Sequence, residues 1–246
     1  VAVIAMVGIL GYIALQLKAV STSFDVLIGP LGENVVRHSA TNFTKDTAFY
    51  VTILMAVFGV LFGVRYIHTS EHHDGLILAI AFESMVKLLA LLAVGMFVVF
   101  GLFDGIGDLA RQATRRADIT ALFEPQSWLA PHFFVGSLIG MFAIICLPRQ
   151  FHVTFVENDD SRNLKTARWL FPAYLVAINL FVVPIAVAGL LLFDGQSAVN
   201  PDTFVLTLPL LGGQNGLALM AFVGGLSAST GMVIVSCVAV STMVCN

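Results

Sequence analysis

Charge is scarce in this chain: 12 Lys and Arg and 15 Asp and Glu among 246 residues, or 11%. Soluble domains carry about 25%, so an ordinary soluble fold is excluded. The net charge of −3 offers no basic excess to a nucleic acid and no pull on an acidic partner. Cysteine is rarer still, at three residues. Cys146, Cys237 and Cys245 all fall inside apolar segments, where they read as small hydrophobes rather than disulfides or metal ligands, and no transition-metal site is predicted. No paired carboxylates, nucleophile–base set or phosphate loop stands out, so neither an enzyme active site nor a cofactor is expected within this chain. The period-two alternation of a barrel strand is missing too. There is no basic n-region and no initiator Met before the first apolar run. The chain is therefore expected to be an internal fragment of a longer protein, continuing beyond both ends.

What is present is hydrocarbon. Apolar residues make up 58% of the sequence and the mean hydropathy is +0.93, which predicts an all-α, polytopic membrane protein. About six spans can be read: Val1 to about Ala19, Asp46 to Val64, Asp74 to Phe103, one from His132 interrupted at Pro148, Arg168 to Phe193, and Asn215 to the end. Pro172 and Pro184 fall within the fifth. Gly59 and Gly63, and again Gly136 and Gly140, have the GxxxG spacing that permits tight helix crossings. No tandem repeat or soluble domain interrupts the pattern, so residues 1–246 read as one transmembrane module whose first partner is the lipid bilayer.

The loops set an orientation. Arg65–Asp74 and Arg149–Arg168 are short and hold basic residues close to span ends. The opposite connections, Lys18–Lys45, Asp104–Pro131 and Asp194–Gln214, are longer, and the last has no Lys or Arg. The density of cations near the spans predicts that the short loops are cytoplasmic. Pieces such as Ile106–Ile119 and Thr203–Leu211 read as amphipathic and should rest over the outer mouth. Cysteines placed at Ser70 and Ser161 are accordingly expected to resist an impermeant reagent in intact cells. Rapid labelling from outside would reverse the topology.

The last stretch, NGLALMAFVGGLSASTGMVIVSCVAVSTMVCN, carries no charge and exceeds the roughly 30 Å apolar core of a bilayer. Its middle holds Gly224, Gly225, Ser227, Ala228, Ser229, Thr230 and Gly231, where a lipid-facing helix would carry Leu and Ile. Small residues let backbones approach and hydroxyls in lipid need partners, so this segment should be buried among other helices. Two readings stay open: close packing with each hydroxyl bonded to its own helix, or an oxygen-lined site for a small hard cation.

Other features carry possible chemistry. Glu83 and Lys87 lie four apart on one helix face and are expected to partner each other, as a structural ion pair or as part of an ion or solute pathway. His68, Glu71, His72, His73 and Asp74 form a cluster read as a solvated turn that ends with Asp74 capping the third span. In CLPRQFH, Pro148 breaks an apolar helix near Gln150. Such a break exposes carbonyls that can hold ions, or it simply ends the span, with Arg149 at the surface. Asn179 and the Pro184 kink are weaker versions of that signal.

GVRYIHTSEHHDGLILAIAFESMVKLLALLAVG, CLPRQFHVTFVEN, TARWLFPAYLVAINLFVVPIA and GGLSASTGMVIVSCVAVSTMVCN resemble the sodium:solute symporter family, most closely the symporter-like module at the N-terminus of CbrA-type bacterial sensor histidine kinases. The resemblance covers essentially the whole chain. It implies a LeuT-type fold of two inverted five-helix repeats, in which this chain would supply core helices three to eight. It further implies sodium as coupling ion, with Ser229 and Thr230 matching the family's Ser/Thr ligand pair and Ala228 a carbonyl ligand. Aligned from the helix end instead, the pair falls on Gly231 and Met232. Asp74 resembles the Asp that opens the following span, although apolar Ile77 or Leu78 stands where a Gln is usual. Pro148 resembles the Pro of the broken sixth core helix, with Leu147 in place of the family's Gln.

On this resemblance the expected function is transport of a small solute, such as an amino acid, with sodium across the bacterial cytoplasmic membrane. It would also feed a histidine kinase further along the same chain. The alternatives are a purely sensory domain that binds solute without coupled transport, or a stand-alone symporter. The candidate residues are Ala228, Ser229 and Thr230 for sodium, and Asp74, Glu83, Lys87, Pro148 and Gln150 for the pathway.

Overall fold

A computed structural model describes residues 2–29, 47–63, 74–123, 131–151, 154, 161–193 and 199–245. Its elements are helical: α1 (Ala2–Ile28), α2 (Thr47–Gly63), α3 (Asp74–Phe97) continued by a π-helical turn (Val98–Leu102), α4 (Ile106–Thr114), α5 (Ala117–Leu122), α6 (Pro131–Cys146), α7 (Pro148–Phe151), α8 (Ser161–Asn179), α9 (Val182–Leu192), a 3₁₀ turn (Pro201–Thr203), α10 (Phe204–Leu211) and α11 (Asn215–Cys245). Among the described residues, four stretches are long and apolar enough to cross a membrane: Val3–Ile28, Leu78–Leu102, Arg162–Leu192 and Asn215–Ser241. The second and fourth expected spans appear as α2 and α6, whose 17 and 16 residues fall just short of that length. The His68–His73 cluster lies outside the described residues, and no group of three or more metal-binding side chains occurs within them. Cys146 and Cys237 are free thiols.

Two helices begin or end away from the expected span limits. α1 continues nine residues past Ala19, and α8 starts seven before Arg168. Lys18 and Arg168 mark where polarity begins along the chain, but a charge does not stop a helix; long basic side chains bend toward water while the backbone continues. Prolines do stop helices. Pro184 lacks an N–H and its ring clashes with the carbonyl four residues back, and the break falls there, at Leu180 and Phe181, dividing α8 from α9. The helix also breaks at Leu147, since the residue before a proline disfavours helical backbone, and Pro148 opens α7 as its first residue.

The chain divides into two compact units, Val1–Val94 with Gly195–Asn246, and Gly95–Asp194. In the first, α11 packs along α1 and α2, and α10 lies against α11. Matched pairs fix the α1–α11 register: Phe24 with Phe222, Gln16 with Ser229, Tyr12 with Met232. As one number falls the other rises, so the helices run antiparallel. α10 does not have the expected amphipathic face. Phe204, Leu206, Thr207, Leu208 and Pro209 are all buried, because FVLTLPLL is apolar around its whole circumference. Gly213, at φ +71, takes the left-handed conformation that lets the chain leave α10 and enter α11.

In the second unit, α9 packs on α4 and on the π-helical turn. Val98, Val99, Leu109, Ile119, Ile185 and Ala188 form its interior. The amphipathic piece Ile106–Ile119 is carried by two helices, α4 and the start of α5, separated at Arg115 and Arg116. Arg116 forks onto Asp118 through Nε and Nη2 at 3.0 and 2.8 Å. That guanidinium holds the Asp118 carboxyl down to about 2. Gly136 and Gly140 face open space, so this GxxxG pair makes no tight crossing among the described residues.

Candidate functional site

The small-residue stretch of α11 does what its composition asks. Gly224 lies so close to α3 that a methyl group built there would stand 3.0 Å from Ala90 Cβ and 3.4 Å from Lys87 Cα. One face and two turns further along, a methyl on Gly231 would land on the Glu83 carboxylate. Residues rising from 224 to 231 meet residues falling from 90 to 83, so α3 and α11 cross in antiparallel sense, with glycine at both contacts. In hydrocarbon the hydrophobic effect gives no preference for helix–helix over helix–lipid contact, and such close approach supplies the dispersion energy instead.

The hydroxyls divide between the two readings offered by sequence. Thr230 Oγ1 donates to the Ser227 carbonyl at 2.7 Å, and Ser236 Oγ to the Met232 carbonyl at 2.7 Å. Both bonds are local, as close packing predicts. Ser229 differs. It is 6% exposed, and its hydroxyl crosses to α1 and donates to Gln16 Oε1 at 3.1 Å. A hydroxyl that donates once keeps its lone pairs for a cation or another donor. Ala228 sits inside an unbroken helix, so its carbonyl keeps one lone pair beyond its backbone bond.

Polar contacts fall on two opposite sides of α11. Successive residues turn by about 100°, so Ser229 and Gly231 point roughly 200° apart. Gln16 therefore approaches from one side and Glu83 from the other, at nearly the same level of the helix. No hydrogen bond or ion pair joins Glu83 to Lys87 among the described residues, although they are one turn apart. The Glu83 carboxylate turns onto Gly231, the one residue type on α11 that leaves room for it, while Lys87 still acts on it electrostatically from one turn away.

The remaining candidates lie elsewhere. Asp74 is the first residue of α3, nine positions before Glu83 and so about 13 Å along the axis. Pro148 and Gln150 belong to the second unit, in α7, with Gln150 half-buried. Asn179 donates to its own helix at Leu175, 2.7 Å away.

Gln16 and Tyr12 went unmarked in the sequence reading. Gln16 is a lone amide inside VAVIAMVGILGYIALQLKAV, and a polar side chain in a span is itself a signal. Ser21 was missed as well. Its hydroxyl is buried with no hydrogen-bond partner among the described residues, but five positions from Gln16 place it about 140° away around α1.

No match was found to known protein families, to curated proteins or to solved structures.

Proposed function

We propose that this chain is a sodium-coupled transport module for a small solute, of the sodium:solute symporter type, with a LeuT-like inverted-repeat arrangement. In that arrangement it supplies core helices three to eight. One observation carries the reading: a charge-free membrane helix holds a buried Ser229 that reaches Gln16 on α1, with the Thr230 hydroxyl on the next residue. Oxygen atoms are costly in hydrocarbon, and their concentration where glycine permits close approach suits a small hard cation better than packing alone requires. The resemblance of FESMVKL and LPRQFHV to the sensor branch supports a second role, in which occupancy biases a bundle conformation that a histidine kinase reads. The setting would be the bacterial cytoplasmic membrane.

The test is the sodium dependence of the full-length protein. Replacing Ser229 and Thr230 together by Ala keeps the volume small and removes two oxygens. The sodium concentration for half-maximal uptake or signalling should rise about tenfold, the factor that 1.4 kcal/mol produces, with the response at saturating sodium retained. An unchanged sodium dependence would assign both hydroxyls to packing. Sodium-dependent signalling without uptake would select the purely sensory form.

A further inference from the structure

The second unit contains a cavity of about 330 Å³ bounded by α4, α5 and α9. That is the lower end of the range of small-molecule sites. Its floor includes the buried Leu109 and Ile119, and Pro184 forms part of the α9 wall. The two hydroxyls that reach it are already committed: Thr114 donates to the Arg111 carbonyl, and Thr120 to the carbonyls of Arg116 and Ala117. The cavity thus offers an occupant apolar surface and no free hydroxyl proton.

Its surroundings identify the occupant. Ile106, Phe123 and Val183 line the cavity and are 60%, 47% and 52% exposed, an apolar rim that is unfavourable in water. α9 belongs to the candidate span Arg162–Leu192, so its wall is membrane-spanning helix. α4 has the build of a helix lying in the headgroup region. Ile106, Leu109, Ala110 and Ala113 share the face toward the cavity, while Asp108, Arg111 and Gln112 lie on the opposite side. Gln112 bonds Asp108 at 2.8 Å, and Arg111 stands 3.9 Å from the same carboxylate. We propose that this cavity takes one acyl chain of a membrane phospholipid, which enters past the apolar rim and lies beneath α4 against α9. The polar face of α4 meets the headgroups. Asp108, Arg111, Arg115, Arg116 and Asp118 leave residues 106–122 a net charge of only +1, too little to select a headgroup, so the chain is what is recognised. This site is independent of the sodium reading.

The test uses the full chain in vesicles of phosphatidylethanolamine and phosphatidylglycerol containing a phosphatidylcholine with a diazirine on its acyl chain. After irradiation, adducts are mapped by mass spectrometry. Adducts on 106–123 and Val183–Val187 should saturate as the probe fraction rises. Those on α6, whose residues 131–142 are all exposed, should increase in proportion to it. Ala113→Phe, which fills the cavity with apolar volume, should abolish the first set and leave the second. Linear labelling at both places in the unaltered protein would overturn the proposal without any variant. So would the absence of adducts at the cavity, as when a protein segment fills it, or cavity labelling unchanged by Ala113→Phe in a protein whose α6 labelling is normal.

Discussion

Gly95→Ala is expected to destabilise the protein by about 1–3 kcal/mol, the usual cost of forcing a methyl group into a filled space. Helix propensity argues the other way, since Ala is favoured over Gly by about 1 kcal/mol in a helix interior. The packing decides. A methyl built on Gly95 would overlap the Cβ and ring of Phe181, and Phe181 is buried at the break that precedes α9. Because the overlap includes Cβ, trimming the ring does not remove it. Phe181→Ala in the Gly95→Ala background should fail to restore stability, whereas a clash confined to the ring would be relieved. Gly107→Ala provides the control of opposite sign. Nothing lies within 4 Å of a methyl there, so that variant should gain up to about 1 kcal/mol from propensity. Thermal unfolding in detergent separates the cases, and equal stability of the two Gly→Ala variants would refute the assigned contact.

That contact also shows where sequence reading stops. Hydropathy located the apolar helices because each span must satisfy its own backbone, whatever it packs against. The prolines placed the breaks at Leu147 and Leu180 for an equally local reason. Gly95 and Phe181 are 86 positions apart, and nothing in either neighbourhood distinguishes Gly95 from Gly136, which meets no neighbour. Pairing between distant helices is a property of the packed bundle. The polar residues of the candidate site follow the same division. Ser229 was visible as a hydroxyl in a charge-free helix, but its partner Gln16 lies 213 positions away. Glu83 and Lys87 are one turn apart, which is a local fact. That the carboxylate also lies against Gly231 depends on α11, which helical spacing alone does not show.

The side chain of Glu83 and the missing side chain of Gly231 should therefore behave as one unit in a double-mutant cycle. Gly231→Ala places a methyl on the carboxylate. The carboxylate is the free end of a flexible chain and can swing aside, but only into neighbouring apolar surface, where an anion is costly. An intermediate cost of about 1–3 kcal/mol follows. Glu83→Ala removes the obstacle and with it an intramembrane charge, at the expense of a small void. In that background the methyl on Gly231 has room, so adding Gly231→Ala should cost almost nothing and the two changes should couple by about 1–2 kcal/mol. Glu83→Gln is the informative third variant. It is nearly isosteric but neutral, so the clash with Ala at 231 persists while displacement of the side chain becomes cheaper; its coupling should fall between zero and that of Glu83→Ala. Unfolding in detergent at fixed pH measures all of these. Additivity within about 0.5 kcal/mol, the tolerance for residues that do not touch, would remove Glu83 from the face of α11.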